Sequence, residues 1–171
     1  MNLALIFAGG TGTRMNSKTK PKQFLELNGK PIIIHTIELF ESHPEIDAIA
    51  VVCLESWIGY LNELLERFRI KKVKYVVPGG ETGQQSIRNG LTAFWDDQDI
   101  PRDSLVLIHD GVRPLINEDI ITRSIECAKQ YGNAITVTPA IETIITVSED
   151  DSVDQIMDRS KCRMARAPQT F

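Results

Sequence analysis

The residues able to do chemistry in this chain gather in three loops, each behind a run of aliphatic or β-branched residues. The first reads Ala8-Gly9-Gly10-Thr11-Gly12-Thr13-Arg14-Met15, followed by Pro21-Lys22-Gln23-Phe24. Glycines let backbone N–H groups surround phosphate oxygens, and Arg14 and Lys22 add the positive charge a polyphosphate needs. Arg14, Lys18, Lys20 and Lys22 stand between Met1 and Leu25 without one acidic residue, although the whole chain carries a net charge of -4. A tight strand-to-helix turn with solvated cations would use the same glycines; the one-signed charge is what favours an anion site.

The second loop is Pro78-Gly79-Gly80-Glu81, leading through Ser86 into a helical segment. Backbone groups at a glycine pair can read the edge of a base, and Ser86 offers a small donor and acceptor, or alternatively caps the helix. The third is His109-Asp110-Gly111-Val112-Arg113-Pro114. Asp110 there can hold a ribose hydroxyl or a magnesium ion and Arg113 a substrate phosphate, or the two can brace a turn.

Other chemistries lack their residues. A dinucleotide loop needs Gly at the place of Met15, and a phosphate-binding P-loop needs Gly-Lys-Ser/Thr. No Gly-x-Ser-x-Gly elbow is present, and His35, His43 and His109 lack metal-site spacing. Cys53, Cys127 and Cys162 are widely separated and odd in number, which predicts reduced thiols in a cytoplasmic protein. The charge balance offers no field for nucleic acid or an anionic membrane, and no apolar run is long enough to span a bilayer.

The elements that must position these loops follow from hydrophobic period. Leu3 to Ala8, Ala48 to Cys53, Val73 to Val77, Leu105 to His109 and Ala134 to Pro139 read as strands. Helical stripes lie between them: Ile33, Ile37, Phe40; Leu54, Ile58, Leu61, Leu65, Phe68; Ile87, Leu91, Phe94; and Ile121, Ile125, Ala128. Strands apolar on both faces alternating with helices predict an α/β fold, a Rossmann-like, doubly wound, mostly parallel sheet. Its ligands belong beyond the carboxyl ends of the strands, where all three loops fall. With 171 residues and 42% hydrophobic side chains, one domain over residues 1–171 is expected. Ile141 to Val147, an acidic turn at Glu149 to Asp151, and Val153 to Met157 predict a hairpin leaving that body, an arm over 141–163 that packs on a second subunit.

In order and spacing these motifs, together with Ala167-Pro168-Gln169-Thr170-Phe171, resemble the cytidylyltransferases that include methylerythritol phosphate and ribitol phosphate cytidylyltransferases. The resemblance implies a fold of the nucleotide-diphospho-sugar transferase type, and transfer of CMP from CTP to a small alditol phosphate with release of pyrophosphate. It implies that Ala8, Gly9, Gly10, Thr11, Gly12 and Thr13 wrap the triphosphate, with Arg14 and Lys22 catalytic at the α-phosphorus. Gly80, Glu81 and Ser86 would line the cytosine pocket, and Asp110 and Gly111 would lie near the ribose, with Asp110 also at Mg²⁺. Arg113, Thr143 and Arg159 match acceptor-binding positions, the last two reaching in from the partner's arm of a homodimer. Gly83 stands where the family pattern has Arg, Ala167 where many members have Thr, and Ile144-Ile145 where methylerythritol enzymes often have Lys, which tilts the acceptor toward ribitol phosphate or a similar alditol. The family's domain continues past Phe171, so its C-terminal part is expected to lie outside these residues. Two alternatives stand beside this reading: methylerythritol phosphate as acceptor in isoprenoid synthesis, and a nucleotide-binding module without catalysis.

Overall fold

In the computed structural model, which describes residues 1–10 and 20–171, the first strand, β1 (Asn2–Ala8), lies inside the sheet with Leu3 to Ile6 buried. A short ribbon follows, β2 (Glu26–Leu27) and β3 (Lys30–Pro31), then α1 (Ile32–Ser42), β4 (Ala48–Cys53), α2 (Ile58–Arg67) and β5 (Val73–Pro78). The chain continues through α3 (Gly83–Trp95), β6 (Leu105–Asp110), α4 (Glu118–Tyr131) and β7 (Ala134–Pro139). It ends with an arm formed by β8 (Ile145–Val147) and β9 (Val153–Ile156), and a last strand, β10 (Arg163–Thr170).

Six strands form the main sheet in the order β5-β4-β1-β6-β10-β7. β5, β4, β1 and β6 are mutually parallel, Leu5 pairing with Ala50 on one side and Ile108 on the other. β10 runs antiparallel to both β6 and β7. The sequence pattern does not reveal this strand, because Arg, Ala, Pro and Gln carry neither β-branched content nor alternation.

All six residues of β4 are buried, as a parallel strand covered on both faces requires. Ala4, Ile6, Ile49 and Val51 pack under α1, α2 and α4 against Phe40, Leu61 and Ile125. On the opposite face Leu3, Leu5, Ala50 and Val52 pack with Phe94 of α3 and with Ile100. Of the expected stripe on α3, Phe94 is buried and Ile87 packs against the core, while Leu91 sits at the rim and Ser86 and Gly90 join the buried face. A Cβ at Gly90 would lie 2.6 Å from Leu5 Cδ1, and its absence lets the helix press on the sheet. The arm has all its strand residues exposed, Ile145, Val147, Val153 and Ile156 among them. Among the described residues no helix is long and apolar enough to cross a membrane.

Candidate functional site

At the carboxyl end of β1, the carbonyls of Ala8 and Gly10 accept hydrogen bonds from Gln23 Nε2 at 2.7 and 3.4 Å. Gln23 is buried on a single 3-10 turn, Lys22–Phe24, whose Phe24 ring stacks on Trp57 at 4.9 Å and meets Tyr60 edge-on. This aromatic cluster fixes the turn, and the turn carries Lys22 beside the exit of β1. Among the described residues the Lys22 ammonium has no ion-pair or hydrogen-bond partner, so its charge is available to a ligand. Thr11, Gly12, Thr13 and Arg14 lie outside the described residues.

The first two loops touch. A Cβ on Gly9 would lie 3.1 Å from Ser86 Oγ and 3.3 Å from the Gly79 Cα, so glycine is what allows the loop after β1 to lie against that after β5. Gly79 N–H donates to the Cys53 carbonyl at 2.8 Å, which carries the loop over the end of β4. Ser86 does not cap α3: its Oγ accepts from Gly80 N–H at 3.1 Å and donates to the Thr82 carbonyl at 3.0 Å, stapling the glycine pair to the first helical turn. The cap is Thr82, which forms a capping box with Gln85. Thr82-x-x-Gln85 is the capping-box signature, legible in the sequence as a Thr three residues before a Gln. The side-chain Oε1 of Gln85 also accepts from Glu81 N–H at 2.8 Å, and Glu81 itself is exposed.

The third loop meets the first through Gly111, whose N–H donates to the Phe7 carbonyl at 3.0 Å and whose Cβ, if present, would approach Ala8 Cβ to 2.9 Å. Thr36 of α1 donates its hydroxyl to the Gly111 carbonyl at 3.0 Å. Asp110 Oδ1 accepts from Val112 N–H and Oδ2 from Arg113 Nε–H, each at 3.1 Å, so the bracing pair exists and leaves acceptor capacity on both carboxylate oxygens. His109, fully buried, donates from Nε2 to the Arg113 carbonyl at 3.0 Å, and burial pushes its pKa down so the ring is held neutral. A cleft of about 230 Å³ opens here, with Asp110 and Arg113 on one side and Arg166 and Gln169 of β10 on the other.

Gly9, Gly79, Gly80, Ser86, Asp110 and Gly111 are thus gathered at one sheet edge. Thr143 and Arg159 are not: both are exposed at the root of the arm, Arg159 Nη1 donates to the Ile141 carbonyl at 3.1 Å, and neither lines the cleft of its own chain. Sequence reasoning assigned no role to Gln23, Thr36 or Arg166, whose partners are distant along the chain. Cys53 is no nucleophile, since burial raises its thiol to about 11.

A doubly wound sheet with glycine loops at the strand exits, and a lysine there that has no partner among the described residues, suits a nucleotidyltransferase, the class to which the matching family belongs. The family model for 2-C-methyl-D-erythritol 4-phosphate cytidylyltransferase matches residues 2–171, and the chain belongs to that cytidylyltransferase family. It is 58% identical over its whole length to a ribitol-5-phosphate cytidylyltransferase of Vibrio parahaemolyticus, of which it covers 71%. It is 52% identical, with the same coverage, to one of Streptococcus agalactiae serotype Ia. The fold matches the crystal structure of 4-diphosphocytidyl-2C-methyl-D-erythritol synthase from Anaerococcus prevotii with a TM-score of 0.78 at 27% identity, over 99% of this chain and 68% of that one.

Proposed function

We propose that this cytidylyltransferase transfers CMP from CTP to ribitol 5-phosphate. The observation that carries the acceptor is the 58% identity across all 171 residues to an enzyme of that name. A phosphate oxygen of the acceptor attacks the α-phosphorus of CTP, the bond from that phosphorus to the bridging oxygen of the β-phosphate breaks, and pyrophosphate leaves. No covalent enzyme intermediate is needed, so catalysis is positioning and electrostatics.

The residues take the following parts. Backbone groups from Ala8 to Thr13 hold the triphosphate, and Arg14 and Lys22 offset charge developing around the α-phosphorus. Gly80, Glu81 and Ser86 hold the cytosine, while Asp110 and Gly111 meet the ribose. The acceptor takes Arg113 from one subunit with Thr143 and Arg159 from the other. Support for that homodimer comes from the arm, whose exposed Ile145, Val147, Val153 and Ile156 are apolar surface in search of a cover.

Among the described residues no group of three acidic, His or Cys side chains could cage a metal. A magnesium ion shared between one carboxylate and substrate phosphates needs no such cage, and the free lone pairs of Asp110 fit it. Asp110 would hold the ion, which would supply neutralisation of phosphate charge. The three free thiols support a reducing, cytoplasmic setting.

Pyrophosphate release from CTP and Mg²⁺ with ribitol 5-phosphate or 2-C-methyl-D-erythritol 4-phosphate tests the reading. Turnover with the first and little with the second is expected. The reverse preference would assign the chain to the second acceptor, a reading favoured by the family model it matches. CTP binding without pyrophosphate release from any acceptor would reduce it to a binding module.

A further inference from the structure

The cleft beside Asp110 is lined by two arginines, Arg113 and Arg166, of which Arg113 alone is assigned to the acceptor. The other, Arg166, sits where the pairing of β10 with β7 breaks: Ala165 pairs with Val137, Gln169 with Ile135, and the residues between them bulge out of the ladder. A bulge of this kind re-aims side chains that would otherwise follow the pleat. The Arg166 Nε–H donates to Thr138 Oγ1 at 3.3 Å, and its own carbonyl accepts from Gln169 Nε2 at 3.2 Å, so both ends of the residue are held. Among the described residues its guanidinium forms no ion pair, and HN groups at its tip remain to be satisfied. Ala167, which follows and also lines the cleft, offers no polar side chain.

Apolar Phe7, Ile87 and Ile108 line the same cleft, Asp110 and Gln169 offer acceptors to hydroxyl groups, and both Arg113 and Arg166 are among its lining residues. This composition suits a polyol carrying a phosphate monoester. Such a group holds close to two negative charges near neutral pH and is matched by paired arginine forks. Arg113 and Arg166 each use Nε on a neighbouring side chain, Asp110 and Thr138, and each keeps its terminal N–H groups for a ligand.

We propose that Arg166 is a second binding cation of the acceptor site, holding the acceptor's phosphate together with Arg113. This rests on the assignment of the cleft to an alditol phosphate. It makes the β10 bulge a determinant of acceptor affinity, separate from the residues that hold CTP.

The test measures binding of ribitol 5-phosphate, and separately of CTP, by calorimetry in the wild type, Arg166→Ala and Arg166→Lys, with melting curves to verify folding. Ribitol 5-phosphate affinity should fall about tenfold to a hundredfold in Arg166→Ala, recover in part in Arg166→Lys, and leave CTP affinity as it was. Equal acceptor affinity in wild type and Arg166→Ala would overturn the role of Arg166 alone. A matching loss of CTP affinity would overturn it too, by moving Arg166 to the nucleotide. Wild-type protein that binds neither ribitol 5-phosphate nor 2-C-methyl-D-erythritol 4-phosphate would overturn both this role and the acceptor assignment.

Discussion

Gln23 donates from one side-chain nitrogen to the carbonyl of Ala8 at 2.7 Å, and so joins the turn that carries Lys22 to the end of the first strand. The bond is buried and spans the two ends of the glycine loop, which makes the position of the loop's cation a consequence of an amide rather than of the loop itself. Replacing Gln23 by Met keeps the volume and leaves the Ala8 carbonyl without its donor. A loss of about 1–3 kcal/mol in stability is expected, accompanied by a fall in kcat as Lys22 loses its anchor. Urea unfolding and steady-state kinetics on the same preparation check both; unchanged kcat would detach Gln23 from catalysis.

Lys22 itself should behave in the opposite way. It is partly exposed, so Lys22→Ala should change stability by no more than about 0.5 kcal/mol. If it offsets charge at the α-phosphorus, turnover should fall about a hundredfold to a thousandfold. A melting temperature like that of the wild type together with undiminished pyrophosphate release would remove Lys22 from the mechanism.

Gly80→Ala probes the base-side loop. A Cβ there would lie 2.3 Å from Gln85 Cβ, inside the capping box of α3, and the neighbour is a side-chain root that cannot swing away. Overpacking of this kind costs about 1–3 kcal/mol, and the displaced N–H would lose Ser86. Denaturant midpoints should drop and CTP affinity should weaken; a fully stable variant with normal CTP affinity would contradict the contact.

The buried His109 predicts an acid-sensitive fold. Burial lowers its pKa in the folded state, so below the ordinary value of about 6.5 the unfolded chain binds a proton that the native ring refuses. The unfolded state therefore holds more protons, and stability falls as pH drops through that region. His109→Gln can still donate to the Arg113 carbonyl and does not titrate. Its stability should depend less steeply on pH between about 7 and 5.5, as followed by urea midpoints; identical slopes would place the acid sensitivity elsewhere.

Ser86 shows how far local reading reaches. Its place beside a glycine pair made it a candidate for a base pocket or a helix cap; Thr82 takes the cap, and the Ser86 hydroxyl is shared between Gly80 and Thr82 within the same loop. Thr143 and Arg159 are a harder case: both sit at the root of the arm, outside the cleft of their own chain, so the acceptor role proposed for them requires a second chain.

The strands β1, β4, β5, β6 and β7, the helices between them and the three loops at their exits were written in the sequence, because buried strands and amphipathic helices announce themselves through short-range hydrophobic period. The one-signed run of charge from Arg14 to Lys22 is legible in the sequence alone, and of its four cations Lys20 and Lys22 lie among the described residues. Tertiary structure alone decided that β10 enters between β6 and β7, that Gln23 holds Ala8, and that Arg166 shares a cleft with Asp110 and Arg113. Each of these depends on hydrogen bonds or packing between segments far apart along the chain, formed only when the sheet has assembled, and no local pattern encodes them.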